Sequence, residues 1–139
     1  MLKVTLFFAG KEITGTTLSG LQEYKKRLSK SCQLDWKTGV TELPDASANQ
    51  AAQTNQAVLL DRAGQSLRSP ELASQVQAWM SQGKSQLSFY IGQQAIEPSP
   101  DRLTLSLSPA ALSTNTAGLL MAEQIYRVFR ILEGKQYHK

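Results

Sequence analysis

Short apolar segments alternate with longer segments of helical periodicity along this chain, and this alternation restricts its fold more than any other feature. The apolar segments have the length of strands, and a nearly continuous apolar run is typical of a strand in a parallel sheet that is buried on both faces. Between the second and third segments, Pro44 to Gln56 has no large apolar residue and predicts a long loop or a marginal helix. The predicted strands are Leu2 to Ala9, Gln33 to Thr41, Ala57 to Asp61, Gln86 to Ile91 and Leu103 to Leu107.

Three segments have the 3.6-residue period of an amphipathic helix. The first runs from about Thr17 to Ser29. The second has Ser69 as a predicted N-cap with Pro70 at the first helical position, and it runs to about Gln82. The third, Thr116 to Leu132, has apolar residues on more than one stripe, so we expect it to pack on two sides, within the domain or against a second subunit.

The resulting order, β-α-β-β-α-β-β-α, predicts an α/β fold with a mostly parallel sheet and helices on both faces. In such folds ligands bind beyond the carboxyl ends of the strands. Three strand ends supply candidate residues there: Asp61, Gly92 with Gln93, and Ser108 with Pro109. Asp61 is open to two interpretations, because an acid at a strand end can contact a ligand or cap the following turn.

Composition predicts one cytoplasmic domain over residues 1–139. At 139 residues and 41% hydrophobic content the chain can bury a substantial core. The single cysteine, Cys32, excludes an internal disulfide, predicts a small buried apolar side chain and leaves no ligand spacing for a metal site. Trp36 and Trp79 lie on periodic apolar faces and are predicted in the core. No segment reaches the roughly 18 apolar residues of a membrane span.

Charge gives one local candidate for nucleic-acid binding. The net charge of +4 decides nothing by itself. Lys25, Lys26, Arg27 and Lys30 form a basic cluster on the first predicted helix that could contact RNA phosphates, although exposed helix faces are commonly charged without binding anything. Both interpretations stay open on the sequence.

Strong catalytic motifs are absent from the chain. It contains neither the glycine-rich phosphate loops nor the Gly-x-Ser-x-Gly elbow. What is unusual is its final segment, where a long helix is followed closely by Tyr137, His138 and Lys139.

That final segment, Glu123-Gln-Ile-Tyr-Arg-Val-Phe-Arg-Ile-Leu-Glu-Gly-Lys-Gln-Tyr-His-Lys139, resembles the C-terminus of the RlmH family of SPOUT methyltransferases. The resemblance covers essentially the whole chain, in family order. It continues through Leu21-Gln-Glu-Tyr-Lys-Lys-Arg-Leu28, Leu59-Leu-Asp-Arg-Ala-Gly64, Ser69-Pro-Glu-Leu-Ala73, Phe89-Tyr-Ile-Gly92 and Leu105-Ser-Leu-Ser108.

The resemblance implies a C-terminal trefoil knot, a homodimer, and S-adenosylmethionine as the cofactor for methylation of N3 of a pseudouridine in large-subunit ribosomal RNA of assembled ribosomes. It implies that Tyr137, His138 and Lys139 are catalytic, and that they meet the cofactor at the dimer interface. The cofactor contacts implied by the resemblance are Leu60, Gly92, Gln93, Ser108, Pro109, Ala110, Ala111, Leu112 and Ser113.

The chain departs from the family pattern at three positions around that pocket. Gln93 stands where the family usually has a second glycine, Thr114 where it has a histidine, and Gly118 where it has an arginine. An alternative therefore accompanies the enzyme hypothesis: a knotted dimer of the same type that binds RNA or another partner without methyl transfer.

Overall fold

The computed structural model describes residues 1–10, 12–40, 54–92 and 103–134. Within them the order of strands and helices is the predicted one. The strands are β1 (Lys3–Phe8), β2 (Gln33–Lys37), β3 (Asn55–Ser66), β4 (Gln86–Ile91) and β5 (Leu103–Ser106). The helices are α1 (Gly15–Arg27), α2 (Ser69–Ser81) and α3 (Thr114–Leu132).

The five strands form one sheet in the order β2-β1-β4-β3-β5, and every neighbouring pair is parallel. The α/β class and the parallel sheet are therefore confirmed. In the inner strand β1, Leu6 pairs with Trp36 of β2 on one side and with Phe89 of β4 on the other. The carboxyl ends of all five strands thus lie along one edge of the sheet.

The three helices form a single layer against one face of the sheet. Val4, Leu6 and Phe8 alternate along β1 toward this face and are fully or almost fully buried. Helix α3 packs between α1 and α2, and its Gly118 lies against the ring of Phe8. The prediction of helices on both faces is therefore not confirmed by the described residues, whose three helices all lie on one face.

Strand β3 is longer than predicted and contains an irregularity. Leu60 and Gln65 both pair with Leu105 of β5, so residues 61–64 loop out between them. Asp61 caps this excursion, its Oδ1 accepting a hydrogen bond from the backbone N–H of Ala63 at 2.9 Å. The turn-capping interpretation of Asp61 is therefore the one that the structure shows.

Gly64 allows the excursion to pass close to the neighbouring strand. A Cβ atom at this position would lie 2.6 Å from the carbonyl oxygen of Thr104. Only glycine fits against that backbone without displacing β5.

The helices begin slightly earlier than predicted, because hydroxyl groups cap them. Thr14 accepts from the N–H of Thr17 at the start of α1, and Ser113 accepts from the N–H of Thr116 at the start of α3. Ser69 is the first residue of α2 and not its N-cap, a correction to the sequence prediction. The residue before it, Arg68, donates its backbone N–H to the Glu71 carboxylate at 2.9 Å.

Candidate functional site

A cavity of about 210 Å³ lies beside residues 60–62 of β3 and at the carboxyl ends of β4 and β5, next to the first turn of α3. This is where the parallel sheet predicts a ligand site. Its walls are mostly apolar or small, with Asp61 and Arg62 as the charged side chains. The lining residues are Leu60, Asp61, Arg62, Ile91, Gly92, Leu107, Ser108, Ala110, Ala111, Leu112, Thr114 and Ala117.

Gly92 shapes one wall of the cavity. Its φ of 85° lies in the left-handed region, and a Cβ atom on it would sit 2.8 Å from Oγ1 of Thr114. Both the dihedral and the contact exclude a side chain. The end of β4 and the start of α3 therefore approach each other closely, and the backbone of Gly92 faces the cavity.

The loop from Leu107 to Ser113 forms another wall and is held by its own serines. The Ser106 hydroxyl donates to the carbonyl oxygen of Ser108 at 3.1 Å, and the Ser108 hydroxyl accepts from the N–H of Ala110 at 3.0 Å. Such a loop presents backbone groups and small side chains to a ligand. Leu112 is the one partly exposed large apolar residue of this loop, at 36%.

Six of the cofactor residues implied by the resemblance therefore surround one cavity: Leu60, Gly92, Ser108, Ala110, Ala111 and Leu112. Pro109 and Ser113 lie in the same loop without lining the cavity, and Gln93 lies outside the described residues. Arg62 also lines the cavity, and the sequence analysis does not name it as a candidate. Its position directly after Asp61, at a predicted strand end, is the signal that could have identified it.

A second and larger cavity, about 510 Å³, lies between β5, α3 and the start of α2. It shares only Leu107 with the first one and is lined mainly by apolar side chains. We take the smaller cavity as the candidate ligand site, because it holds the glycine wall and most of the cofactor residues that the resemblance implies.

Two of the four residues of the predicted basic cluster form ion pairs with neighbouring carboxylates. Nζ of Lys25 lies 2.7 Å from Oδ1 of Asp35 and over the ring of Trp36, and Arg27 pairs with Glu23 at 2.9 Å. The hydrogen bond from Lys25 lowers the pKa of the Asp35 carboxyl.

Lys26 and Lys30 are exposed, and no side-chain interaction within the described part of the chain engages either ammonium group. They are therefore the members of the cluster that a polyanion can contact without competing with a carboxylate.

An aromatic and cationic seam lies between α1 and α3. The rings of Tyr24 and Tyr126 are 5.8 Å apart, and the guanidinium of Arg130 lies 5.1 Å from the Tyr126 ring centroid.

The two tryptophans were both predicted in the core. Trp79 is buried there, whereas Trp36 packs against the core and is only partly buried.

The end of α3 is fixed far from the candidate cavity. Thr114 at its start contacts Gly92, whereas Glu133 just past its end accepts a 2.6 Å hydrogen bond from Ser31, which lies between α1 and β2. The 19 residues of α3 cover about 28 Å. Tyr137, His138 and Lys139 follow this end and lie outside the described residues.

Comparison with known proteins agrees with the geometry. The family model described as predicted SPOUT methyltransferase matches residues 2–138. This chain belongs to that family.

Relatives identify the branch of the SPOUT methyltransferases. The chain is 32% identical over 165 residues to "Ribosomal RNA large subunit methyltransferase H" of Syntrophomonas wolfei, covering 99% of this chain and 100% of the relative. A protein of the same name from Desulforamulus reducens is 30% identical over 164 residues, with 100% of both chains covered. The chain is thus an RlmH-family SPOUT methyltransferase.

Two of the departures from the RlmH pattern have a structural counterpart here. The Phe8 ring occupies the space where a side chain at position 118 would lie, and Thr114 packs against Gly92. An arginine at position 118 would overlap that ring. Each departure is therefore accommodated by a neighbour within the described core.

The described residues that line the SPOUT methyltransferase cavity fit S-adenosylmethionine. Gly92 forms a cradle that a Cβ atom would fill, and the serine-held loop adds backbone groups and small side chains. Arg62 suits the cofactor's carboxylate. No group of three or more metal-ligating side chains occurs among the described residues, and none of the helices there is long and apolar enough to cross a membrane.

Proposed function

We propose that this SPOUT methyltransferase transfers the methyl group of S-adenosylmethionine to N3 of a pseudouridine in large-subunit ribosomal RNA, acting on assembled ribosomes. One observation carries the proposal: six of the nine residues that the family resemblance assigns to the cofactor surround a single cavity at the carboxyl edge of the sheet. The names of the relatives supply the substrate class.

Methyl transfer from a sulfonium to a nitrogen depends mainly on how the two reactants are positioned. The cofactor supplies a methyl group bound to a sulfonium, and the carbon–sulfur bond breaks as the bond to the nucleophilic nitrogen forms. Holding the two partners in line supplies much of the rate. The cavity residues have the role of holding the cofactor in one orientation and excluding water.

The imide nitrogen of pseudouridine must lose its proton in this reaction. We assign that role to Tyr137, His138 and Lys139: His138 accepts the proton, Tyr137 orients the base and Lys139 offsets the negative charge that develops on it. Their assignment follows from the family resemblance.

The length of α3 supports a homodimer with composite sites. The five residues after Gly134 span at most about 18 Å when fully extended. This is shorter than the roughly 22 Å of α3 between Ala117, which lines the cavity, and the end of the helix at Leu132. The catalytic residues of one protomer therefore serve the cofactor bound to its partner.

The trefoil knot of the family belongs to the same proposal. The sheet order is compatible with it, because β5 lies outside β3 at the edge of the sheet while α3 returns across the sheet to Phe8 of β1. Lys26 on α1 and Lys30 just after that helix are the proposed RNA contacts, with Lys25 and Arg27 in a lesser role.

Titration of S-adenosylmethionine into the protein, followed by a methyl-transfer assay on ribosomes that lack the modification, tests the proposal. We expect the wild type to bind and to transfer, and His138→Ala to bind with unchanged affinity but to transfer at least about a hundredfold more slowly. Absence of binding at millimolar cofactor would contradict it.

The same titration decides on the alternative of a non-catalytic RNA-binding dimer. Binding gained only in Gln93→Gly, together with salt-sensitive RNA binding by the wild type, would favour that alternative. Ribosomes that carry uridine in place of pseudouridine are the control for base specificity.

A further inference from the structure

Three side chains close a ring of polar contacts where α3 ends. The Ser31 hydroxyl donates to Oε2 of Glu133 at 2.6 Å, and Nη2 of Arg130 donates to the Ser31 oxygen at 2.8 Å. The same Nη2 lies 2.9 Å from Oε1 of Glu133. The last turn of α3 is thereby tied to the junction between α1 and β2, about a hundred residues earlier in the chain.

Helix stability alone does not account for this ring. Glu133 is the C-cap residue of α3, and a negative charge is unfavourable at a helix C-terminus. Nε of Arg130 is buried and finds no hydrogen-bond partner among the described residues, which is itself destabilising. A lysine at position 133 would serve the helix better.

The place of the ring gives it a consequence for the residues beyond it. Gly134 follows Glu133 directly with φ of 73°, so it ends the helix and turns the chain away at this point. Three residues later the chain carries Tyr137, followed by His138 and Lys139. A ring that fixes Glu133 therefore fixes the origin and direction of the segment that bears them.

We infer that Ser31, Arg130 and Glu133 form a C-terminal latch, and that its members are positioning residues for Tyr137, His138 and Lys139. The inference rests on the proposed function, since it gives those three residues their role. The latch acts on them through the fixed end of α3 at Glu133 and Gly134. Small displacements of catalytic groups lower rates steeply, so loosening it should slow methyl transfer while the cofactor still binds.

The chain has two natural probes for this latch. Cys32, the only cysteine, directly follows Ser31 and is buried, and burial together with the neighbouring Glu133 raises the pKa of its thiol to about 12. Its reaction with a thiol reagent reports opening of the latch. His138, the only histidine, gives a single imidazole signal in a proton NMR spectrum and reports on the segment beyond.

The test compares Ser31→Ala, Glu133→Ala and the double variant with the wild type, all as full-length chains. We expect faster labelling of Cys32, a shifted His138 signal, and a kcat reduced about tenfold with an unchanged KM for S-adenosylmethionine. Because both residues act through one contact, the double variant should lose no more than either single variant. Ser31→Thr keeps the hydroxyl and should restore the wild-type values.

Glu23→Ala is the matched control, because it breaks an ion pair with Arg27 on the same helical layer without touching the latch. The inference is overturned if the His138 signal stays in place in both variants, if Cys32 labelling does not accelerate, or if kcat falls no more than in Glu23→Ala. A wild type that neither binds cofactor nor transfers methyl would instead defeat the proposed function, and the two probes would still decide on the latch.

Discussion

Gly118 in α3 faces the ring of Phe8 in β1 so closely that a Cβ atom at position 118 would overlap the ring. Both residues are buried, and the contact joins the helix layer to the centre of the sheet. Because interiors are close-packed, even one added methyl group must displace the ring, the helix or both.

Gly118→Ala should therefore lower the free energy of unfolding by about 1–3 kcal/mol, although alanine is the better helix former. Urea denaturation at neutral pH measures the change. Gly15→Ala is the control, since that glycine is also helical and has nothing within 4 Å of the added Cβ, so it should cost nothing. Equal effects at positions 118 and 15 would contradict the packing argument.

Gly92→Ala should damage the cavity as well as the fold. Gly39 has a similar φ, 70° against 85°, but open space around its Cβ position, so Gly39→Ala isolates the backbone strain of about 1–2 kcal/mol. Gly92→Ala adds the collision with Thr114 and should cost more.

Calorimetric titration of the same variants with S-adenosylmethionine should show at least about tenfold weaker binding for Gly92→Ala and unchanged binding for Gly39→Ala. Adding Thr114→Ala to Gly92→Ala removes the colliding atoms and should recover part of the loss. No recovery would mean that the dihedral alone matters.

Lys26 and Lys30 should contribute more to RNA binding than Lys25, because Lys25 is paired with Asp35. Replacing Lys26 and Lys30 with alanine should reduce the slope of log affinity against log salt by about one for each lysine. Fluorescence anisotropy with a labelled RNA over a range of salt measures it. An equal loss of slope in Lys25→Ala would show that its ion pair opens at no cost.

Cys32 should make the protein less stable at alkaline pH. Burial raises the pKa of its thiol to about 12, above the roughly 8.5 of an unfolded chain. The unfolded state therefore loses its proton first, so the stability that the neutral thiol contributes is complete below pH 8.5 and declines as the pH rises toward 12.

Urea denaturation of wild type and Cys32→Ala at pH 8.5 and pH 10 measures this effect. We expect the wild type to lose about 2 kcal/mol more than Cys32→Ala over that interval. Parallel losses in the two proteins would show that the thiol is not the titrating group.

The order of elements follows from the sequence because periodicity is local, whereas the details that differ depend on contacts between distant residues. Strand β3 continues to Ser66 although Gln65 and Ser66 are polar, because their pairing with Leu105 and Ser106 holds them in the sheet. The excursion at residues 61–64 exists because Gly64 fits against Thr104, a contact that no spacing predicts.

The residues of the candidate site also fall into those that the sequence predicts and those that depend on contacts between distant residues. The strand ends and the resemblance placed Leu60, Gly92 and the loop after β5 around a ligand, and the structure brings them together at one cavity. The ion pair of Lys25 with Asp35 could not be anticipated, since it joins a helix to the following strand. The two helix starts could have been found, because Thr14 and Ser113 each precede a threonine by three residues at a helix boundary.

Helix α3 is held at both ends, by Gly92 against Thr114 at the carboxyl edge of the sheet and by Ser31 with Glu133 at the other. Its residue count is therefore a fixed distance as well as a sequence. One inserted residue would move everything after it by about 1.5 Å and rotate it by about 100° around the axis. Either attachment could then be kept, but not both, so this helix should tolerate substitution on its outer face far better than any change of length.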